Sequence, residues 1–316
     1  MSNANVIVSS FPRRRVPAAP LLLLLGSVAL YVGVAFSTGQ TRMLEVEGVV
    51  GLLQRMVALG IVAIGQTFVI LAGSIDLSVA NLISVAAVLA SFIMQGRPEM
   101  MLVAVVAVLA VSAVVGLING ALVSRLQVSP FIATLGSGLI LQGLLSASFT
   151  NFAGSVPIEF QALAYGALGP LPYSVIGLFL LAILASILMR ATKFGAHLYA
   201  VGGNAEGARL AGIRTDLVTI GAHLLCSLTA GVSGLYLASR LRSGAPWVGR
   251  DGVYDLESIA VVVIGGTLLA GVLLFAVLDA SFNMLDVSAY PKLVLRGAIV
   301  IAAVAIYTFR SRELAA

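Results

Sequence analysis

Gly73-Ser74-Ile75-Asp76-Leu77-Ser78 sets a glycine-flanked carboxylate between two long apolar runs, with membrane spans expected over 49–73 and 77–95. A carboxylate at that depth costs several kcal/mol unless it meets water, a cation or a paired donor, so an ionisable residue there reads first as functional. Gly73, Ser74 and Ser78 around it predict that the helix breaks. Broken helices lining a cavity are how membrane carriers expose backbone polar groups at depth. Asp76 has a second, local use as the cap of a helix beginning at Leu77, whose amino end attracts a carboxylate.

Working outward, the 316 residues are 60% hydrophobic and 10% charged, with a mean hydropathy of +1.09. These values exclude a soluble globular domain. About 20 apolar residues cross the hydrocarbon core. The chain is therefore expected to be an all-α, polytopic transmembrane bundle of about ten spans: 18–36, 49–73, 77–95, 100–124, 131–150, 172–190, 216–239, 257–270, 271–287 and 291–309. The bundle, 17–309, lies between polar tails at 1–16 and 310–316. Arg13, Arg14 and Arg15 before Leu21 to Leu25 have the look of a secretory signal, but further spans follow directly, so a retained first helix is expected. One cysteine, Cys226, excludes an intrachain disulfide.

A pI near 9.7 suits nucleic acid binding in a soluble protein, but here the basic residues sit between spans and report topology. With the amino terminus inside, Arg13, Arg14, Arg15, Arg125, Arg190, Lys193, Arg209, Arg214, Arg310 and Arg312 face the cytoplasm, ten of the 18 basic residues. The 191–215 loop is then cytoplasmic, and 241–257, with Arg242 and Arg250 balanced by Asp251, Asp255 and Glu257, is an outer connector. Within the cytoplasmic loop, Asn204 is a helix cap, Glu206 suits the first turn and Gly212 is a stop. That pattern predicts a short exposed helix, either a solvated connector or a docking element for a soluble partner.

Gly73-Ser-Ile-Asp-Leu-Ser-Val79, Gly116-Leu-Ile-Asn-Gly120, Pro130-Phe-Ile-Ala-Thr-Leu-Gly136, Gly202-Gly-Asn-Ala-Glu-Gly-Ala-Arg-Leu-Ala-Gly212 and Ser258-Ile-Ala-Val-Val-Val-Ile-Gly-Gly-Thr267 together resemble the ribose-type permease subunits of bacterial ATP-binding-cassette sugar importers, in the family's order over about 50–309. The resemblance implies an inner-membrane subunit translocating a monosaccharide such as ribose or another pentose. Its implied partners are a second permease copy or paralogue, cytoplasmic ATPases and a periplasmic sugar-binding protein. It makes 191–215 the ATPase-coupling loop, with Gly202, Gly203, Asn204, Glu206, Ala208, Arg209, Leu210 and Gly212 at the contact.

No Gly-Lys-Ser/Thr signature surrounds Lys193 or Lys292, so a phosphate-cradling loop is lacking and the chain is not expected to be an enzyme. No cofactor is expected on this chain; ATP and Mg belong to the partner ATPase. Two separated histidines and one cysteine suggest no metal site. The pathway or helix-break candidates are Gly73, Ser74, Asp76, Ser78, Asn119, Thr134 and Asn283. Asn119 and Asn283 are expected in interhelical hydrogen bonds, Gly116 and Gly120 at a close helix contact, and Asp279 with a partner the sequence does not name. Gly-x-x-Asp-Leu occurs twice, at Gly73 and Gly252, each time leading into an apolar run.

The chain departs from the family after Thr267, where a loop is missing. The apolar stretch 258–287 is too long for one span and short for two, unless the chain turns back at Gly265 and Gly266. Two other functions compete with this reading. An ion-coupled carrier would use Asp76 or Asp279, but has no need of a docking loop. A serine hydrolase built on Gly231-Val-Ser233-Gly would need His223, which lies about 15 Å away along the same helix on another face.

Overall fold

The computed structural model describes residues 18–265, 268–288, 290–299 and 301. The expected tails, with Arg13 to Arg15, Arg310 and Arg312, lie outside the described residues. The chain forms α1 (Ala18–Ser37), α2 (Val46–Leu71), α3 (Val79–Met94), α4 (Met101–Ser124), α5 (Pro130–Ser148), α6 (Ile158–Tyr165), α7 (Tyr173–Ala191), α8 (Lys193–Gly203), α9 (Ala205–Leu210), α10 (Thr215–Leu241), α11 (Val248–Asp251), α12 (Tyr254–Gly265) and α13 (Leu268–Met284), followed by a helical run at 290–299. Among the described residues, a hairpin pairing Ala167–Leu168 with Leu171–Pro172 is the only sheet. Six helices, α1, α2, α4, α5, α7 and α10, are long and apolar enough to cross a membrane. The fold is an all-α polytopic membrane bundle.

Its axis is the antiparallel pair α2 and α10, both largely buried. Where lipid surrounds a bundle, helices are held by close packing and internal hydrogen bonds rather than by expulsion of water. The pair shows both. Tyr236 Oη donates to the Gln54 carbonyl (2.9 Å), Ser233 Oγ to the Ala58 carbonyl (3.1 Å), and Cys226 Sγ to Gln66 Oε1 (3.3 Å). On another side of α10, a Cβ added at Gly116 would come 2.7 Å from the His223 carbonyl oxygen, and one at Gly120 2.6 Å from Ile220 Cα. The glycine pair in α4 therefore makes the expected close contact.

The region 258–287 contains two helices, not one fused span. α12 has 12 residues and α13 has 17, about 18 and 26 Å at 1.5 Å per residue, each short of a full crossing. They pack side by side, since a Cβ at Gly271 would lie 2.5 Å from the Val261 carbonyl oxygen.

The preceding segment makes up the missing length, and here the expectation of an outer connector over 241–257 is corrected. Gly244 pairs with Ala153 at the end of α10 and packs on Val88 and Ser91 late in α3. Five residues on, the Gly249 amide donates to Ser84 Oγ (2.9 Å), and a Cβ there would overlap the Ala80 carbonyl in the first turn of α3. The chain thus descends into the bundle along α3, and α12 starts from depth. Serine at 84 and glycine at 249 permit this, one accepting a hydrogen bond from a first-turn amide of α11 that has no partner within its own helix and the other admitting close approach.

Asp279 also finds its partners. Arg55 of α2 and Arg296 of the 290–299 run each reach it at 3.2 Å, and Arg296 pairs with Glu257 of α12 at 2.9 Å. This cluster ties the shortened region to α2.

Candidate functional site

The break occupies 72–78, where α2 ends and α3 has not begun. Gly73 takes φ +75°, the left-handed conformation that only glycine adopts without cost. Asp76 Oδ1 accepts from the backbone N–H of Ser78 (2.9 Å) and from its hydroxyl (2.6 Å), a local turn that leads into α3 at Val79, two residues later than a helix beginning at Leu77. The other carboxylate oxygen, Oδ2, lies 3.1 Å from His223 Nδ1, and both side chains have no solvent exposure. A carboxylate accepts, so Nδ1 donates. His223 Nε2 then faces the Ser74 hydroxyl at 3.0 Å. One imidazole therefore holds two residues of the same loop and clamps the break to α10. Eight residues separate His223 from the start of α10 at Thr215, which puts the clamp about 12 Å along that helix.

The network continues outward. Asn119 Nδ2 donates to Ser78 Oγ (2.9 Å), and its carbonyl oxygen accepts from the Ser137 hydroxyl, linking α4 and α5 to the break. Thr134 Oγ1 accepts from the Leu77 N–H (3.0 Å) while donating to the Pro130 carbonyl (2.8 Å). Ser74, Asp76, Ser78, Asn119 and Thr134 are thus brought together, with Gly73 at the turn. Asn283 stands apart on α13, where it accepts from Lys292 Nζ (2.6 Å). His223 and Ser137 complete the set, and sequence reasoning missed both. A histidine inside an apolar helix needs a partner, which was the available signal, but it was weighed only against Ser233. That serine is engaged by Ala58.

Ser74 opens onto a cavity of about 550 Å3 lined by the break, by Ser129, Pro130 and Phe131 at the start of α5, and by Leu256, Ile259 and Val263 of α12. The two Gly-x-x-Asp-Leu segments therefore meet at one cavity.

Beside the break lies the 191–215 loop. Asn204 Oδ1 accepts from the Gly207 N–H (2.8 Å), capping α9, and Gly212 ends the turn with φ +83°. Glu206 and Leu210 are exposed and Ala208 is buried against the bundle. Arg209 bends back to Thr215 Oγ1 (3.3 Å) and Asp216 (3.7 Å). His197 lines a groove between α8 and 211–218. Gly202, on the last turn of α8, touches the end of α2: a Cβ there would overlap the Leu71 carbonyl oxygen, and Gly202 Cα faces Gly73. Gly203 has open space about it. Removing the cap by Asn204→Ala is expected to cost about 1 kcal/mol, seen as roughly fivefold faster amide hydrogen exchange over 205–210. Unchanged exchange would mean that packing alone holds α9.

Comparison with known proteins agrees with these elements. The family described as branched-chain amino acid transport system / permease component matches residues 48–304. The ribose import permease protein RbsC of Escherichia coli (strain K12) is 32% identical over 296 residues, covering 88% of this chain and 91% of that protein. RbsC of Bacillus subtilis (strain 168) is 32% identical over 282 residues, 83% of this chain and 84% of that protein. The galactose/methyl galactoside import permease protein MglC of Escherichia coli (strain K12) is 31% identical over 277 residues, 78% and 82%. No solved structure matches. The chain belongs to the permease components of ABC importers, and among them to the ribose-type permeases of sugar importers.

Proposed function

We propose that this chain is the membrane-crossing subunit through which a bacterial ABC importer moves a monosaccharide, a pentose such as ribose or a related aldose, across the inner membrane. ATP and Mg act on a partner ATPase at the cytoplasmic face, a periplasmic binding protein delivers the sugar, and a second permease copy or paralogue completes the pathway. The amino terminus and the 191–215 loop are cytoplasmic. One observation carries this reading: α9 is capped and exposed while α8 beside it rests through Gly202 on the helix break. A force applied to α8 and α9 by a soluble partner is thereby passed to Gly73, and from there to the network around Asp76.

The test is co-purification of this chain with the ATPase, comparing wild type with Glu206→Ala and Arg209→Glu, followed by ATP hydrolysis and uptake of ribose and galactose. A stable complex weakened by either loop change, with ATP-dependent uptake, supports the reading. Uptake that survives ATP depletion and collapses with the proton gradient would overturn it in favour of an ion-coupled carrier.

A further inference from the structure

A second cavity lies farther along α5 than the Ser74 cavity. It encloses about 260 Å3 and is lined by Asn81 of α3, Gln142 and Ser146 of α5, Phe149 and Thr150 just beyond α5, and Pro246, Trp247 and Arg250 of the segment that descends into the bundle. That is below the roughly 300–1,000 Å3 of drug-sized sites, a scale suited to a smaller ligand. Among the described residues, the side chains of Asn81, Gln142, Ser146 and Thr150 make no hydrogen bond to protein. Arg250 has only its neighbour Asp251 as an ion-pair partner (3.4 Å), and Trp247 stands edge-on to Phe152 with ring centroids 5.2 Å apart.

The cavity is the outer end of a polar stripe. On α5 and its continuation, Thr134, Gly138, Gln142, Ser146 and Thr150 recur every fourth residue, the spacing that keeps side chains on one slowly winding face. Burial falls along the stripe, from Thr134 and Gly138, which are buried, to Ser146 and Thr150, which are exposed. At Gly138 α5 comes against α3: a Cβ there would lie 3.2 Å from Asn81 Nδ2 and 3.4 Å from Ser78 Cα. This contact separates the cavity from the one that Ser74 lines. Hydroxyls and amides in such a row are costly toward lipid and useful along a polar route.

We infer that the Asn81–Gln142–Trp247–Arg250 cavity is a monosaccharide-binding station on the translocation route, an inference that rests on the permease reading above. Asn81 and Gln142 each present a donor and an acceptor that match the paired hydroxyls of a sugar. Arg250 adds forked donors, and the indole supplies an apolar face with a polar edge. Binding is weak by design, since a station must release what it receives.

Trp247 is the single tryptophan of the chain, so its fluorescence reports on this cavity alone. The purified full-length protein is titrated with D-ribose and with D-galactose, using trimethylamine oxide at equal concentration as the solvent control. A saturable change with a midpoint on the order of millimolar is expected, with Gln142→Leu and Asn81→Leu raising the midpoint about tenfold or more. Uptake in the complete transporter is expected to fall in parallel, while Ser146→Ala gives a smaller change in an unaltered fold. If the wild type imports one of these sugars, that sugar leaves Trp247 unmoved, and Gln142→Leu imports at the wild-type rate, the station is overturned and the permease reading stands. If the wild type assembles with its ATPase and imports no aldose, both fall.

Discussion

His223→Ala will lower the stability of the protein by about 3–5 kcal/mol, the range found when a buried charged group loses its partner. Asp76 and His223 have no solvent exposure, and the imidazole is the only group that binds Oδ2 of Asp76 among the described residues. Alanine leaves that oxygen facing apolar packing and frees the Ser74 hydroxyl at the same time. The cost falls at the one place where α2 and α3 are not continuous helix, so the loop 72–78 loses its hold on α10. Thermal unfolding of the detergent-solubilised protein measures the effect. The double variant Asp76→Asn with His223→Gln keeps a hydrogen-bonding pair without charge and is expected to recover most of the loss, because the penalty belongs to the orphaned group rather than to the missing attraction. A single alanine variant as stable as wild type would mean that the clamp does not hold the break.

Gly202→Val will separate assembly from transport. The β-carbon meets the Leu71 carbonyl oxygen, a backbone atom at the end of α2 that cannot rotate aside, so α8 must move. Overpacking of this kind costs about 1–3 kcal/mol, too little to unfold the bundle but enough to change how α8 sits on Gly73. The exposed side chains of α9 remain available, so binding of the ATPase is expected to survive while sugar uptake drops about tenfold or more, the effect of roughly 1.4 kcal/mol in the coupled step. Gly177→Ala on α7, where an added Cβ has nothing within 4 Å, serves as the comparison and is expected to transport normally. Wild-type uptake by Gly202→Val would remove the contact between α8 and the break from the mechanism.

The order of the apolar spans was readable because length and apolar composition are local properties: each expected span from 18–36 to 271–287 has its helix, including the pair in 258–287, with boundaries moved by a few residues, and the last, 291–309, is helical where it is described, over 291–299 and 301. The cap at Asn204 and the stop at Gly212 were readable for the same reason, since each is satisfied by backbone within three or four residues. The contact at Gly116 and Gly120 followed from spacing alone. The descent of 242–253 into the bundle was not readable. Its charged residues argue for an aqueous loop, and nothing local states that Ser84 and Ala80, more than 160 positions earlier, will receive Gly249.

By itself, then, the sequence determined an all-α membrane bundle, a break at Gly73 to Ser78 and a capped, exposed helix at 205–210, because each follows from interactions within a few residues of chain. It also marked Asp76, Asn119, Thr134 and Asp279 as polar groups in apolar surroundings. Tertiary structure alone decided their partners: His223 for Asp76, Ser78 and Ser137 for Asn119, the Leu77 amide for Thr134, and Arg55 with Arg296 for Asp279. A polar side chain in an apolar helix requires a hydrogen-bonding partner whatever its neighbours in sequence, but which partner it meets depends on the faces that packed helices turn toward one another, and that is set by the bundle as a whole.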